Sequence, residues 1–200
     1  MYQQLPSFVL GFHGCDRKIG EAVLAGDQIS PSMNEYDWLG EGAYFWESSP
    51  ERALSYARLI KQYKRGQGSI KEPYVVGAVI DLGLCLNLTE EGALHELGAA
   101  YHLLAASTDV LPENKPGFPG DTDNLKRFLD CAVFQSLHSA REMVGLKPYH
   151  SVRSPFLEGH ALYPGTSFRQ ETHIQLCVRE INCIKGYFRP LNVDGTLFQP

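Results

Sequence analysis

Three stretches of the chain bring together residue types that do chemistry. In FVLGFHGC, an apolar run reaches His13 and Gly14, with Cys15 behind them. An imidazole beside a bare backbone position at the mouth of a strand can meet a ligand through side chain and main chain alike. A satisfied structural histidine and a turn glycine account for the same two residues. In LGEGAYFWE, Gly40 and Gly42 let the backbone turn and approach a neighbour closely, and Tyr44, Phe45 and Trp46 follow at once. A strand there sends Tyr44 to one face and Phe45 to the other. A tyrosine on a strand edge is a stacking platform for a flat ring, with a hydroxyl left for hydrogen bonding. Tyr56 offers a second ring; an aromatic core cluster is the plain alternative. In FRQETHIQLCV, alternation sends Ile174, Leu176 and Val178 to the core and Glu171, His173, Gln175 and Cys177 to the opposite face.

The elements that must position these groups read as follows. Asp16 stands as an N-cap before Ile19, Ala22, Val23 and Leu24, and Gly26 ends that helix. Residues 43–46 form a short strand, and a helix follows with Ser49 as N-cap, Pro50 at its first position and Glu51 behind it. PYVVGAVIDLGLCLNL is one or two strands. TEEGALHELGAAYHLLAAS is an amphipathic helix with Thr89 as its cap, and residues 123–141 are a second long helix. Between them LPENKPGFPGDTDN is rich in proline and glycine and suits a mobile or inserted loop. YHSVRSPF and THIQLCVREINCIKGYF supply late strands. Strands at both ends with helices between them predict an α+β fold rather than an alternating parallel one, with the two ends pairing.

Composition narrows the function classes. Two hundred residues, 44% apolar and 20% charged, suit one soluble domain, residues 1–200. No apolar run is long enough for a bilayer, and the first ten residues lack the basic and apolar regions of a signal peptide. Five scattered cysteines without a CxxC pair favour reduced thiols in a cytoplasmic setting over disulfides or zinc. A net charge of −5 gives no global attraction to phosphate, and Lys61, Lys64, Arg65 and Lys71 are the nearest thing to a basic patch. HELGAAYH places its second histidine seven residues on instead of four, so it is not a zinc-protease helix. DTDN reads as a helix cap, with no calcium-loop continuation. Cys15, close to His13, could suggest a thiol nucleophile, but no other residue pattern supports one.

Taken together, FHGC, GEGAYF and the small-residue helix SPERALSYA resemble the catalytic region of the ADP-ribosyltransferases of the poly-ADP-ribose polymerase and diphtheria-toxin type. That group is read by a His, a Tyr and usually a Glu on three strands. The resemblance covers residues 8–60 well and the last thirty loosely. It implies the ADP-ribosyltransferase fold, two small and mainly antiparallel sheets around an NAD cleft with flanking helices. It implies transfer of ADP-ribose from NAD to a protein or nucleic acid, without a metal, with nicotinamide released. In its terms Gly14 holds the nicotinamide amide, His13 bonds the adenosine-side ribose, Tyr44 and Tyr56 sandwich the ring, and Cys15 and His173 border the cofactor. Counting back from NCIKGYF puts Gln175 at the usual glutamate position. Glu171 supplies the carboxylate if the strand begins sooner, with Glu158 as a third candidate. Phe168 and Arg169 lie where such proteins often read the acceptor. A compact member of this kind is similar to a bacterial toxin with a cognate antitoxin. An NAD glycohydrolase of the same fold and a silent NAD- or ADP-ribose-binding module are the other readings.

Overall fold

In the computed structural model, residues 8–63, 70–192 and 194–198 are described. Alternating apolar residues build seven strands: β1 (Phe8–Asp16), β2 (Ala43–Glu47), β3 (Pro73–Asp81), β4 (Cys85–Asn87), β5 (Ser151–Phe156), β6 (His173–Val178) and β7 (Ile184–Phe188). Four α-helices accompany them: α1 (Arg17–Leu24), α2 (Pro50–Tyr63), α3 (Glu91–Ser107) and α4 (Phe128–Met143). The class is α+β. The strands join in one mixed sheet of order β4-β5-β6-β2-β1-β3-β7, where two separate small sheets were expected. One short seam makes the difference. β1 pairs with β3 along its whole length, from Phe8 with Asp81 to Asp16 with Pro73, but it pairs with β2 only at Gly11–Glu47 and Phe12–Trp46.

Among the described residues the first strand pairs with neither of the last two. β1 lies between β2 and β3, while β6 adds to the outer edge of β2 and β7 to the outer edge of β3. The run at His13-Gly14 is also not a strand mouth: His13 pairs with Val76 and Gly14 with Val75, in mid-strand. Phe8 and Leu10 of that apolar run are 55% and 46% exposed, so the start of β1 is not buried.

Both faces of the sheet are covered. Phe45, Val76, Ala78, Ile80, Leu176 and Val178 pack with Val23 of α1 and with Ile29 on one face. On the other, Phe12, Trp46 and Val75 pack under Ala53 and Leu54 of α2, and Leu86, Val152 and Cys177 under Val133, Phe134 and Leu137 of α4.

Helix boundaries follow local chemistry. Asp16 caps α1, its carboxylate accepting from the Lys18 N–H at 3.1 Å, and it also takes the N–H groups of Lys71 and Glu72. Those backbone donors, Glu72 first and then Lys71, hold its carboxyl below the ordinary range. The cap of α3 is Glu90, not Thr89, whose hydroxyl instead donates to Asn87. α4 begins at Phe128, five residues later than the sequence pattern suggests. Asp121 is the reason: it caps no helix, and its carboxylate accepts from the N–H groups of Gly117, Asp123 and Leu125 to tie the loop into a turn.

Candidate functional site

Side chains alternate across a strand, and that rule divides the expected site. His13 lies on the α1 side of the sheet, its ring 5.7 Å from Phe45. Beyond Phe12 the β1–β2 ladder stops, and the His13 imidazole takes its place, Nδ1 lying 2.8 Å from the Tyr44 carbonyl oxygen. A carbonyl only accepts, so Nδ1 carries the proton and Nε2 the lone pair. Burial pushes the His13 pKa down. Cys15 is buried on the same side, and burial raises its thiol to about 12, which rules out a thiolate.

Tyr44 faces the other way, but its ring is no open platform. It packs with Leu39, Val152 and Cys177, its hydroxyl donates to the Gly40 carbonyl at 2.6 Å, and it accepts from the Leu39 N–H at 3.1 Å. Its role is to close the turn in which Gly40 adopts φ +79°. Gly42 is required by close approach, since a Cβ there would meet Cys177 Sγ at 2.5 Å. Gly14 faces α2: a Cβ there would lie 2.1 Å from the Ala53 carbonyl oxygen. Its missing side chain is filled by a helix rather than by ligand space.

On the α2 face, a cleft of about 170 Å³ gathers the remaining candidates. Trp46 and Tyr56 form its aromatic wall, ring centroids 4.8 Å apart. That spacing leaves no room for a ring between them, so a flat ligand would stack on an outer face. Tyr56 comes from α2 and His173 from the start of β6, as the sequence suggested, and Glu158 and Glu171 enter from the loop before β6. Arg52, one turn before Tyr56, was not singled out beforehand. Its Nη2 lies 2.7 Å from Glu158 Oε2 and 2.9 Å from Glu171 Oε2, which fixes both carboxylates at the cleft. The signal was the i to i+4 spacing of Arg52 and Tyr56, which puts both on one helix face. Trp38 and Phe118 add aromatic walls from the two long loops. Phe118 stacks on Tyr63 at 4.6 Å, and Asp123 accepts from the Gly159 N–H, so the proline-rich loop is tied over the cleft.

The two carboxylates differ sharply in environment. The Glu171 side chain is 52% exposed and that of Glu158 only 4%. Burial raises Glu158 to about 7 despite the neighbouring Arg52 guanidinium. His173 donates from Nδ1 to the Glu171 carbonyl at 2.7 Å, and burial lowers it to about 4, so it is neutral with its Nε2 lone pair available. Gln175 lies deeper, 2% exposed, opposite Trp46 in the sheet.

Five polar atoms around this region are buried without a hydrogen-bond partner among the described residues: Trp46 Nε1, Arg52 Nε, Glu158 Oε1, His173 Nε2 and Gln175 Oε1. Unsatisfied buried groups are costly, on the order of 1–3 kcal/mol each, so this cluster is where an ordered water or a ligand would be accommodated. Phe168 and Arg169 sit on a hairpin-like loop beside the cleft, closed by the Ala161–Arg169 bridge, with Phe168 64% exposed. Lys64 and Arg65 of the basic stretch lie outside the described residues. Among the described residues no three His, Cys, Asp or Glu converge to hold a metal, and no helix is long and apolar enough to cross a membrane.

No family model matches the chain, and no solved structure matches it. A 36-residue stretch is 44% identical to an uncharacterized protein of Methanocaldococcus jannaschii, covering 18% of this chain and 17% of the other. The chain therefore spans about a sixth of the length of that relative.

Proposed function

We propose that the chain is an NAD-dependent ADP-ribosyltransferase whose chemistry takes place in the α2-side cleft. One observation carries this reading: orphaned donors and acceptors sit beside an aromatic wall and a half-exposed carboxylate. The Trp46 indole N–H can only donate, and His173 Nε2 can only accept. A primary carboxamide on a flat ring offers the complementary pair, and Tyr56 supplies a ring face beside them. Glu171, clamped by Arg52, stands at the mouth, where its negative charge steadies cation character developing on the attached ribose. The enclosed volume suits a ring and part of a sugar. It is below the 300–1,000 Å³ or so of a whole-ligand pocket, so the rest of a dinucleotide would extend over open surface. In this arrangement His13, Gly14 and Tyr44 shape the sheet and seat α2, and the cleft residues touch the ligand.

The resemblance in FHGC and GEGAYF points to the same activity but not to the same contacts, since His13, Gly14 and Tyr44 do not line this cleft. The test is incubation with labelled NAD and a cell lysate, followed by separate protease and nuclease digestion of the labelled product. Glu171→Gln is expected to lower nicotinamide release about 10²–10³-fold with NAD affinity changed much less, the mark of an interaction made mainly in the transition state. A folded Glu171→Gln variant with full turnover would remove Glu171 from this role. Nicotinamide release to water alone, with no label carried by protein or nucleic acid, would identify a glycohydrolase.

A further inference from the structure

We infer that Glu158 is the general base that deprotonates the acceptor, and that the acceptor is an uncharged hydroxyl group. This rests on the reading of the cleft as the ADP-ribosyl transfer site. Glu158 is 3% exposed and lines the cleft; one carboxylate oxygen is spent on Arg52, and Oε1 has no hydrogen-bond partner among the described residues. A buried carboxylate with one oxygen anchored and the other unsatisfied is oriented for proton transfer. Glu171 shares the same Arg52 Nη2 but is half-exposed, so the two carboxylates are held apart in role by burial.

The charged and titratable groups that line the cleft with Glu158 are Arg52 and Tyr56 from α2, Glu171 and His173 from the entry to β6, Asp121 and Asp123 from the loop before α4, and His160 from its own loop. Arg52 lowers the Glu158 pKa, Glu171 and Asp123 raise it, and burial raises it most, to about 7. That value suits a base working near neutrality.

The same charges select the acceptor. Glu158, Glu171 and Asp123 repel a carboxylate, and Arg52 already occupies the position that would receive a guanidinium. An alcohol brings no charge and keeps its proton until attack, so it is the acceptor that needs a base. In the step, the alcohol oxygen forms a bond to the ribose carbon that carried nicotinamide. Its proton passes to Glu158 Oε1. The carbon–nitrogen bond breaks, and its electron pair stays on the departing neutral nicotinamide.

The experiment measures nicotinamide release against pH, and partition of product between ADP-ribose and O-methyl-ADP-ribose in molar methanol. It uses the full chain and its Glu158→Gln and Glu158→Asp variants, each checked for folding by circular dichroism. The parent should show a rate that falls below about pH 7 and should form the O-methyl product. Glu158→Gln should lose the acid limb and about 10²–10⁴-fold in turnover, with KM for NAD within a few fold. Glu158→Asp should restore part of the rate with a shifted limb, which also keeps the assignment testable if the glutamine variant does not fold. Unchanged turnover and pH profile in either folded variant overturn Glu158 as the base while leaving transferase activity standing. ADP-ribose alone in methanol overturns the alcohol acceptor. A parent protein that releases no nicotinamide between pH 6 and 9, with methanol or with cell lysate as the source of acceptor, overturns the transferase reading as well.

Discussion

Tyr44 shows how one hydroxyl can be committed to architecture. It closes the Leu39–Gly40 turn with two hydrogen bonds in a buried setting, and burial raises its pKa well above that of a free phenol. Tyr44→Phe leaves the Leu39 N–H and Gly40 carbonyl without that partner, and should cost about 1–3 kcal/mol in chemical denaturation. Nicotinamide release should survive, because the ring does not line the cleft. His138 presents the opposite case: it is 6% exposed, neither ring nitrogen has a partner, and burial holds its pKa at about 3. The unfolded chain takes up a proton near pH 6.5 that the folded chain refuses until about 3. His138 therefore lowers stability as pH falls through that window, each pK unit being worth about 1.4 kcal/mol. His173, at about 4, acts in the same direction, whereas Glu158, raised to about 7, favours the folded state as pH falls from 7 toward 4.5. The difference between His138→Leu and the parent isolates the one group. The variant's Tm advantage should widen steadily below pH 6.5, and a constant difference would show that His138 is not held neutral.

At the scale of elements, α2 is what turns a sheet into a site. It is seated on β1 through Gly14 and Ala53, and it carries Arg52 and Tyr56 to the cleft. Gly14→Ala forces a methyl carbon to within 2.1 Å of the Ala53 carbonyl, so the helix must shift. The expected result is overpacking strain of about 1–3 kcal/mol or more in thermal or chemical unfolding. Activity should fall with it, since Arg52 and Tyr56 move with the helix. Much of this layout was legible from local signals. The Asp16 cap, the Pro50 helix start, the strand at residues 43–46 and the late strands follow from capping chemistry and alternation. What stayed hidden depends on partners distant in sequence. Nothing local says that Gly14 faces a helix carbonyl, that Asp121 grips its own loop instead of capping α4, or that the Tyr44 hydroxyl is consumed by a turn. In the site, Tyr56 was readable as a ring on the helix after the short strand, Glu171 and His173 through alternation on the late strand, and Glu158 as a third candidate carboxylate. Arg52 was not, because a helical arginine gains meaning only from carboxylates that approach through space.

For the whole molecule, the β1–β2 seam is the weak line of the sheet. Its ladder ends at Phe12–Trp46, whereas β1 and β3 pair from end to end. Hydrogen exchange should therefore be faster for amides along the β1–β2 side beyond that point than for the β1–β3 ladder, with local opening well below the global unfolding free energy. Equal protection on both sides would show that the His13–Tyr44 bond restores a full ladder. The placement of β2 also bears on how the chain survives its own synthesis. Its outer edge is completed by β6, which begins only at His173. At roughly 5–20 residues per second, the Ala43–Glu47 segment waits on the order of ten seconds on the ribosome for that neighbour. Through that interval an edge reading Ala-Tyr-Phe-Trp stands open to another nascent chain, since β1 covers so little of its other side. Truncation before β6 should then yield aggregates rather than a smaller folded protein, and codon choices that slow the stretch between β2 and β6 should lower the soluble yield of an unchanged sequence.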